Sequence, residues 1–181
     1  MDKANGEGTY IHANGTKFKG MWKDDKQHGE GIEKWPDGAD YVGQYYDGAK
    51  HGKGKLNFPD GSSYNGEFKM NEIDGYGIYI WIDGRKYEGN WKDSKMEGKG
   101  KMTWADGRIY EGLYKNEKRH GYGEYTWPDG RRYLGNWIGN KQHGEGVYID
   151  IKGEMSKGVW VDGKRVKWLD DDDNVVENAK Q

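Results

Sequence analysis

The stretch YEGLYKNEKRHGYGEYTWPDGRR, residues 110–132, recurs along the chain with a period of 23 residues. Aromatic residues and glycines alternate in two short runs, and a Pro-Asp-Gly tripeptide follows the second run. Six copies share this frame, and they begin at Phe18, Tyr41, Tyr64, Tyr87, Tyr110 and Tyr133. A fixed period without insertions is typical of a repeat protein, in which one small unit is stacked many times.

The Pro-Asp-Gly tripeptides predict where the chain turns. The chain has three prolines, and each stands at the same place in its copy. Pro presets the first turn position, Asp accepts a hydrogen bond from the backbone ahead, and Gly takes the left-handed conformation. The sequence therefore predicts three-residue hairpin turns closed by a bulge glycine. The turn residues are Pro36, Asp37 and Gly38; Pro59, Asp60 and Gly61; and Pro128, Asp129 and Gly130.

Counting outward from each turn predicts which residues face each other across two strands. Trp and Arg form the first pair, large apolar residues pair with Tyr two positions further out, and glycines pair beyond them. The pairs are Trp81 with Arg85, Trp104 with Arg108 and Trp127 with Arg131; Leu56 with Tyr64, Tyr79 with Tyr87, Met102 with Tyr110 and Tyr125 with Tyr133; and Gly54 with Gly66, Gly77 with Gly89, Gly100 with Gly112 and Gly123 with Gly135. Strand side chains alternate, so these pairs share one face, which we call the aromatic face.

These pairs predict an all-β protein: an elongated, single-layer, twisted antiparallel meander, solenoid-like and built from 23-residue hairpin repeats. Aromatic cross-strand pairs contribute roughly 0.2–1 kcal/mol each, and glycines leave gaps that large rings can cover. Two strands per copy give about 10 Å per copy and a length of roughly 60–70 Å. The other connection in each copy, such as residues 115–121, is polar and charged, and we expect a longer solvated loop there.

Composition excludes several classes of protein. The chain has 29 basic and 31 acidic residues, which gives a formal net charge of -2 and no electrostatic basis for nucleic-acid binding. It has no cysteine, and therefore neither disulfides nor a thiol-zinc site. No long apolar run predicts a transmembrane helix or a signal peptide. An intracellular, soluble protein is the expectation.

The motif Tyr-x-Gly-x-Trp, followed by His-Gly-x-Gly and Trp-Pro-Asp-Gly, resembles the MORN (membrane occupation and recognition nexus) repeat. The resemblance extends over about residues 5–163. It implies a non-catalytic scaffold in cytoskeletal or ciliary assemblies, including the spoke heads of axonemes, or at membrane junctions. MORN arrays also precede lipid-kinase and methyltransferase domains. The resemblance therefore leaves an alternative open, a module that binds phosphoinositides or anionic membranes, or regulates a larger lipid-signalling protein.

The copies divide the chain into four segments. Residues 1–17 form an N-terminal half repeat or cap, residues 18–155 six repeats, and residues 156–169 a C-terminal partial repeat or cap. The frame is expected to end after Gly163 without a second strand. Residues 170–181 form an acidic polar tail, either disordered or a short helix. The chain starts in mid-repeat, so a natural cap and a cut from a longer protein both remain open.

The repeated polar residues have structural explanations. His28, His51, His120 and His143 occupy one place in the copies, which lie about 10 Å apart and cannot converge on one metal ion. We expect these side chains to bond the local backbone. Asp60, Asp83, Asp106 and Asp129 recur because the turn requires them. The sequence therefore predicts no catalytic residues, no metal site and no cofactor. Choline-binding hairpin repeats are also short and aromatic, but their spacing is shorter and they lack these motifs.

Basic residues supply the candidate contacts with anionic lipid. Membrane attraction requires clusters of about four or more bases. The densest combination is Lys115, Lys118, Arg119, Arg131 and Arg132. Acidic residues stand beside the basic ones throughout, so mixed surface charge for solubility is the competing interpretation.

Isoleucines supply the candidate contacts with a protein partner. The face opposite the aromatic one should be polar if it meets only water. Copy three instead places Ile78, Ile80 and the turn residue Ile82 there, in the middle of the stack. Copy six also has apolar residues where polar ones are expected, and we attribute them to a terminal cap. They are Leu134, Val147, Ile149 and Ile151. An apolar departure on a solvent face marks a docking site, and we expect a cytoskeletal or ciliary protein to bind at copy three. Open sheet edges would also allow a homodimer.

Overall fold

A computed structural model describes residues 2–170, which contain 15 β-strands and no helix. The strands of each copy have seven and nine residues in most of the chain. Their bounds are β1 Gly6–Ile11, β2 Lys17–Lys23, β3 Lys26–Lys34, β4 Asp40–Tyr46, β5 Ala49–Asn57, β6 Ser63–Lys69, β7 Glu72–Ile80, β8 Lys86–Lys92, β9 Lys95–Thr103, β10 Ile109–Lys115, β11 Lys118–Thr126, β12 Arg132–Ile138, β13 Lys141–Ile149, β14 Met155–Val161 and β15 Lys164–Trp168.

The strand order in the sheet is the sequence order. The chain divides into two compact units, of which the first ends at Met96 and the second begins at Glu97. Within each unit, consecutive strands pair antiparallel, and the pairs counted from the sequence are the observed ones. Tyr125 faces Tyr133, for example, and Gly123 faces Gly135. The predicted all-β antiparallel meander of hairpin repeats is confirmed.

The three-residue turns share one hydrogen-bond pattern. At residues 127–131, the Trp127 amide donates to the Arg131 carbonyl at 2.9 Å, and the Gly130 amide donates to the Trp127 carbonyl at 3.0 Å. Gly130 has φ of 95°, which favours glycine. The Asp129 carboxylate accepts from the Arg131 amide at 3.1 Å. In copy six Asp150 and Gly153 form the same pair of bonds, although Ile and Lys replace Pro and Asp.

The other connection differs from the prediction. Residues 115–121 do not form a longer solvated loop, because β10 continues to Lys115 and β11 begins at Lys118. Asn116 and Glu117 form a two-residue turn with φ of 47° and 67°. Two successive positive φ angles give a type I′ turn, whose twist matches that of the strands. The equivalent turns are Asp24-Asp25, Asp47-Gly48, Met70-Asn71, Asp93-Ser94, Gly139-Asn140 and Asp162-Gly163.

Each two-residue turn is attached to the preceding copy. The Asn140 amide donates to the Arg119 carbonyl at 3.0 Å, and the Asn140 side chain accepts from the Arg119 amide at 2.9 Å. Asn71 forms the same two bonds with Lys50. These bonds offset the strain of positive φ at residues other than glycine.

Tyrosine rings lie flat over paired glycines on the aromatic face. Tyr110 has no exposed surface, and a Cβ atom added to Gly123 would lie 2.5 Å from its Cζ atom. The Tyr110 hydroxyl donates to the Leu113 carbonyl at 2.8 Å. Tyr41, Tyr64 and Tyr87 repeat this bond with the carbonyl three residues on. The glycine pairs are therefore the sites into which the core rings fit.

The core is a series of edge-to-face rings. The Tyr110 ring centroid lies 5.2 Å from that of Tyr114 and 5.5 Å from that of Trp137, with interplanar angles of 90° and 84°. In the first unit, Tyr41 makes the same two contacts with Tyr45 and Phe68. This geometry places the positive ring edge against the negative ring face. A single sheet thereby acquires a buried layer without a second layer of secondary structure.

The last strand was not expected. The sequence predicts that the frame ends after Gly163, but Asp162 and Gly163 form a two-residue turn and β15 follows. This prediction is wrong because Asp-Gly is itself a hairpin turn signal. Trp168 pairs with Gly158, and its ring lies 6.1 Å from the Trp160 ring. The predicted acidic tail, apart from Asp170, lies outside the described residues.

Candidate interaction surfaces

The isoleucines of copy three line one side of β7. Ile80 has 46% of its surface exposed and Ile82 in the following turn has 74%, while Ile78 is half-buried. Ile78 pairs with Asn65 and Glu88 on the neighbouring strands. Ile78 and Ile80 therefore share the face opposite the aromatic one, where their cross-strand neighbours are polar, and Ile82 lies in the turn that follows β7.

Tyr76 extends this row by one position and was missed in the sequence. It is 51% exposed, and its hydroxyl donates to Glu88 at 3.0 Å. Glu88 also pairs with Lys86 at 3.2 Å. Side chains along a strand point to alternate faces, so Tyr76, two residues before Ile78, could have been predicted to share its face. We call the set Tyr76, Ile78, Ile80 and Ile82 the β7 stripe.

The basic residues of copy five are divided between the two ends of the strands. Lys115 and Lys118 are exposed and face each other beside the two-residue turn. Arg131 and Arg132 lie at the other end of β11, after the three-residue turn. A nine-residue strand is about 30 Å long. The structure does not gather the five candidate residues into one cluster.

Each of these arginines also has an acidic partner. Arg131 bonds Asp129 at 2.7 Å and lies 5.5 Å from the centre of the Trp127 ring on the aromatic face. Arg132, next in sequence, points to the opposite face and bonds Glu124 at 2.9 Å. Local pairing reduces the attraction of either residue for an anionic surface.

Arg119 is enclosed by aromatic rings and does not lie in a loop. Its guanidinium lies 4.5–6.0 Å from the ring centres of four aromatic residues, and burial lowers the pKa of this group. The four rings belong to Trp104, Tyr110, Tyr125 and Trp137. A desolvated cation–π contact contributes about 2 kcal/mol. Arg119 therefore acts as a core residue of the second unit.

Arg119 can be tested by truncation. We expect Arg119→Ala to reduce the free energy of unfolding by about 3 kcal/mol, because it leaves a cavity and removes the cation–π contacts. Arg119→Met should cost less than about 1.5 kcal/mol, since Met96 is buried at the equivalent position of copy four. Urea denaturation measures both values. Equal losses for the two variants would show that the space among the rings does not need filling.

The position shared by the histidines accepts hydrogen bonds from the next copy in copies two, three and four. The expectation is wrong for the Nδ1 atom of His143, which is buried without a hydrogen-bond partner among the described residues. His51 accepts from the Met70 amide at 3.4 Å, and Asp74 accepts from the Asp93 amide at 3.2 Å at the equivalent place. Glu97 accepts from the Asn116 amide at 2.8 Å. The expected backbone contact is thus present at His51, and it holds the following two-residue turn. Within residues 2–170, no group of three or more acidic or histidine side chains could hold a metal ion.

The apolar residues of copy six have different environments. Ile149 is buried, Leu134 and Val147 face each other and are half-buried, and Ile151 in the turn is 69% exposed. Burial of Ile149 fits a role in packing at this end of the second unit. In the described part of the chain, no helix is long and apolar enough to cross a membrane.

Among the solved structures that match this chain are domains from Drosophila melanogaster and Danio rerio. The SAS-4 (dCPAP) TCP domain of Drosophila melanogaster, in complex with a proline-rich motif of Ana2 (dSTIL), has a TM-score of 0.53 and 11% identity, with 87% of this chain and 86% of that chain covered. The TCP10 domain of Danio rerio CPAP, in complex with a STIL peptide, has a TM-score of 0.28 and 16% identity over 91% and 94% of the two chains. The first similarity concerns the fold alone.

Sequence comparison is more specific. No curated protein matches the chain. The family model described as the MORN repeat matches seven segments, which are residues 1–17, 18–39, 41–63, 64–84, 87–107, 110–131 and 133–155. The matches cover most of the chain and follow the hairpins described above. The chain therefore belongs to the MORN-repeat family.

Proposed function

We propose that this chain is a non-catalytic scaffold that binds a protein partner through the β7 stripe. The observation that carries the proposal is the exposure of Ile80 and Ile82, at 46% and 74%, beside Tyr76 at 51%. Burying apolar surface contributes about 25 cal/mol per Å². A row of such side chains therefore offers a partner substantial free energy of association.

The setting proposed is a cytoskeletal or ciliary assembly. MORN repeats typically mediate interactions with proteins or membranes, and the similarly folded SAS-4 domain was solved with a peptide motif of another protein. Both facts support a binding role for a sheet of this kind. The separation of the candidate lipid contacts favours a protein partner over an anionic membrane.

Ile80→Asp tests the proposal. A charge buried in an apolar interface without a partner is unfavourable, so we expect the variant to bind the partner about 10- to 100-fold more weakly. Ile80 is exposed, so the free energy of unfolding should change by less than about 0.5 kcal/mol. The measurement is affinity capture from a ciliated-cell lysate, followed by titration of the purified partner protein.

Ile138→Asp is the matched control. Ile138 is 51% exposed, belongs to β12 and lies outside the β7 stripe, so this variant should retain the partner. Loss of binding with both variants, or with neither, would contradict the assignment. Unfolding of Ile80→Asp would show that this position belongs to the core. Retention on anionic liposomes that falls steeply with salt, without a protein partner, would favour the membrane alternative.

A further inference from the structure

One position on the aromatic face is filled by different side chains in successive copies. In copies two to five it carries Lys50, Ile73, Met96 and Arg119, at intervals of 23 residues. Lys50 lies 4.8 Å from the centre of the Trp35 ring, and Ile73 and Met96 are each only 9% exposed. Arg119 lies among four rings, as described above. A cation, a branched aliphatic chain or a thioether can each occupy this space.

Copy six retains the aromatic rings but has no long side chain to fill the space between them. Trp127, Tyr148 and Trp160 are equivalent to Trp104, Tyr125 and Trp137, which surround Arg119. The residue equivalent to Arg119 is Gln142, which is shorter and uncharged. The space holds a cavity of about 270 Å³. We call it the copy-six pocket, and its lining residues are Trp127, Gln142, Tyr148, Trp160, Arg165 and Trp168.

Trp168 adds a wall that copy five does not have. It stands opposite Gly158, in β15, where the earlier copies pair two glycines. Its ring lies 6.1 Å from the Trp160 ring and 6.4 Å from the Tyr148 ring. Trp168 is 39% exposed. The pocket therefore has aromatic walls and remains accessible from solvent.

The polar groups of the pocket discriminate between ligands. Arg165 lies 4.0 Å from the centre of the Trp168 ring, and none of the described residues that line the pocket is acidic. A cationic ligand would meet the charge of Arg165 without a compensating anion. The guanidinium and indole N–H groups donate hydrogen bonds, and the Gln142 amide and the Tyr148 hydroxyl can donate or accept. The pocket therefore favours a neutral ligand with a flat or ring-shaped apolar part and exposed hydrogen-bond acceptors.

A proline-rich segment has this chemistry. Proline rings pack against aromatic side chains, and an extended polyproline helix leaves its carbonyl groups unpaired and able to accept. Proline has no backbone N–H group that would need a partner in the pocket. A preformed polyproline helix also loses little conformational entropy on binding.

We propose that the copy-six pocket binds a proline ring of an extended, proline-rich segment of a partner protein. This inference rests on the proposed function and names the chemistry of a partner segment. The site is distinct from the β7 stripe, which lies on the opposite face and in the first unit. Each surface can therefore be removed without changing the other.

Gln142→Met is the decisive variant. The new thioether should occupy the space among the rings as Met96 does in copy four, so the variant folds while the pocket is filled, and no second cation is placed beside Arg165. Titration of an all-proline peptide, followed by tryptophan fluorescence, should show binding to the natural chain. Gln142→Met should weaken it at least about tenfold, or ~1.4 kcal/mol. Trp168→Ala should also weaken binding, because it removes one wall.

Gln27→Met is the matched control, since Gln27 is the equivalent residue of copy one and lies outside the copy-six pocket. It should bind the peptide as the natural chain does. Three results would overturn the inference: no binding of the all-proline peptide, unchanged binding by Gln142→Met, or stronger binding of tetramethylammonium than of the peptide. If the peptide fails while Ile80→Asp still loses its protein partner, the inference fails and the proposed function stands.

Discussion

Raising the pH from 9 to 11 should reduce the contribution of buried tyrosines to the free energy of unfolding by about 7 kcal/mol, while Lys50, whose pKa burial lowers, has a smaller effect of opposite sign. Five buried tyrosines have pKa values raised above the ordinary value of 10.0, and burial is the largest cause at each. They are Tyr41, Tyr45, Tyr64, Tyr110 and Tyr133. For Tyr133, burial raises the pKa to about 12. Each phenol contributes about 1.4 kcal/mol per pH unit above the unfolded pKa.

Stability falls with rising pH because the folded chain holds the phenolic protons more tightly than the unfolded chain. Above pH 10 the unfolded chain releases these phenolic protons, while the folded chain keeps them until the higher, folded pKa is reached. Stability is therefore fully present below pH 10 and falls as the pH rises through the interval between the two pKa values. A loss of about 7 kcal/mol is comparable with the whole stability of a typical domain, about 5–15 kcal/mol.

Urea denaturation at a series of pH values measures this dependence. Tyr110→Phe is the informative variant, because Phe18 shows that the position accepts Phe. It should lose about 1 kcal/mol at neutral pH, since the hydrogen bond to the Leu113 carbonyl is absent. Its loss of stability between pH 9 and pH 11 should be about one fifth smaller. An unchanged pH dependence in this variant would contradict the assignment of the effect to the buried phenols.

Gly123→Ala should reduce the free energy of unfolding by about 3 kcal/mol or more. A Cβ atom at Gly123 would lie 2.4–2.5 Å from three atoms of the Tyr110 side chain. Tyr110 is fully buried and its hydroxyl is bonded to Leu113, so the ring cannot move without losing packing and a hydrogen bond. Overpacking of this kind typically costs about 1–3 kcal/mol, and the lost hydrogen bond adds about 1 kcal/mol.

A double-mutant cycle separates the ring contact from the effect of replacing a strand glycine. Tyr110→Ala alone should cost about 3–5 kcal/mol. Adding Gly123→Ala in that background should be nearly neutral or slightly stabilising, because glycine is unfavourable in a strand by roughly 0.5–1 kcal/mol relative to Ala. Additive losses in the cycle would show that the ring does not occupy the space above Gly123.

The period and the Pro-Asp-Gly turns predict much of the fold. Once Asp129 and Gly130 are placed in a turn, counting assigns the pairs of Tyr125 with Tyr133 and Gly123 with Gly135, and both are observed. The prediction extends to the ring cover over glycine, because only the absence of a Cβ atom admits a buried Tyr at that distance. Local turn chemistry and a strict period therefore specify the register.

The two-residue turns were harder to predict because their residues vary. Met70-Asn71 and Asn116-Glu117 adopt the same positive φ angles as Asp47-Gly48. Asp47-Gly48 and Asp162-Gly163 carry a standard hairpin signal, and Gly139-Asn140 begins with the glycine that such turns also favour. At the other turns, hydrogen bonds to the preceding copy stabilise the positive φ angles. These bonds cannot be predicted from the residues of the turn alone.

The cage around Arg119 was missed for a related reason. A basic residue beside Lys118 and Glu117 has the appearance of a solvated charge. The signal lay in comparing copies, because Ile73 and Met96 are apolar at the same place. A position that alternates between aliphatic and cationic side chains indicates an aromatic environment that accepts both.

The attachment of each two-residue turn to the preceding copy has a consequence for folding kinetics. Those bonds join residues 21 positions apart, as Asn140 and Arg119 are, and the hairpins are more local still. Sheet proteins usually fold slowly because their strands pair across long stretches of chain. Here the relative contact order is low for an all-β protein, so loop closure costs little entropy and any copy can nucleate the structure. A nascent chain can therefore begin to fold as soon as two copies have left the ribosome.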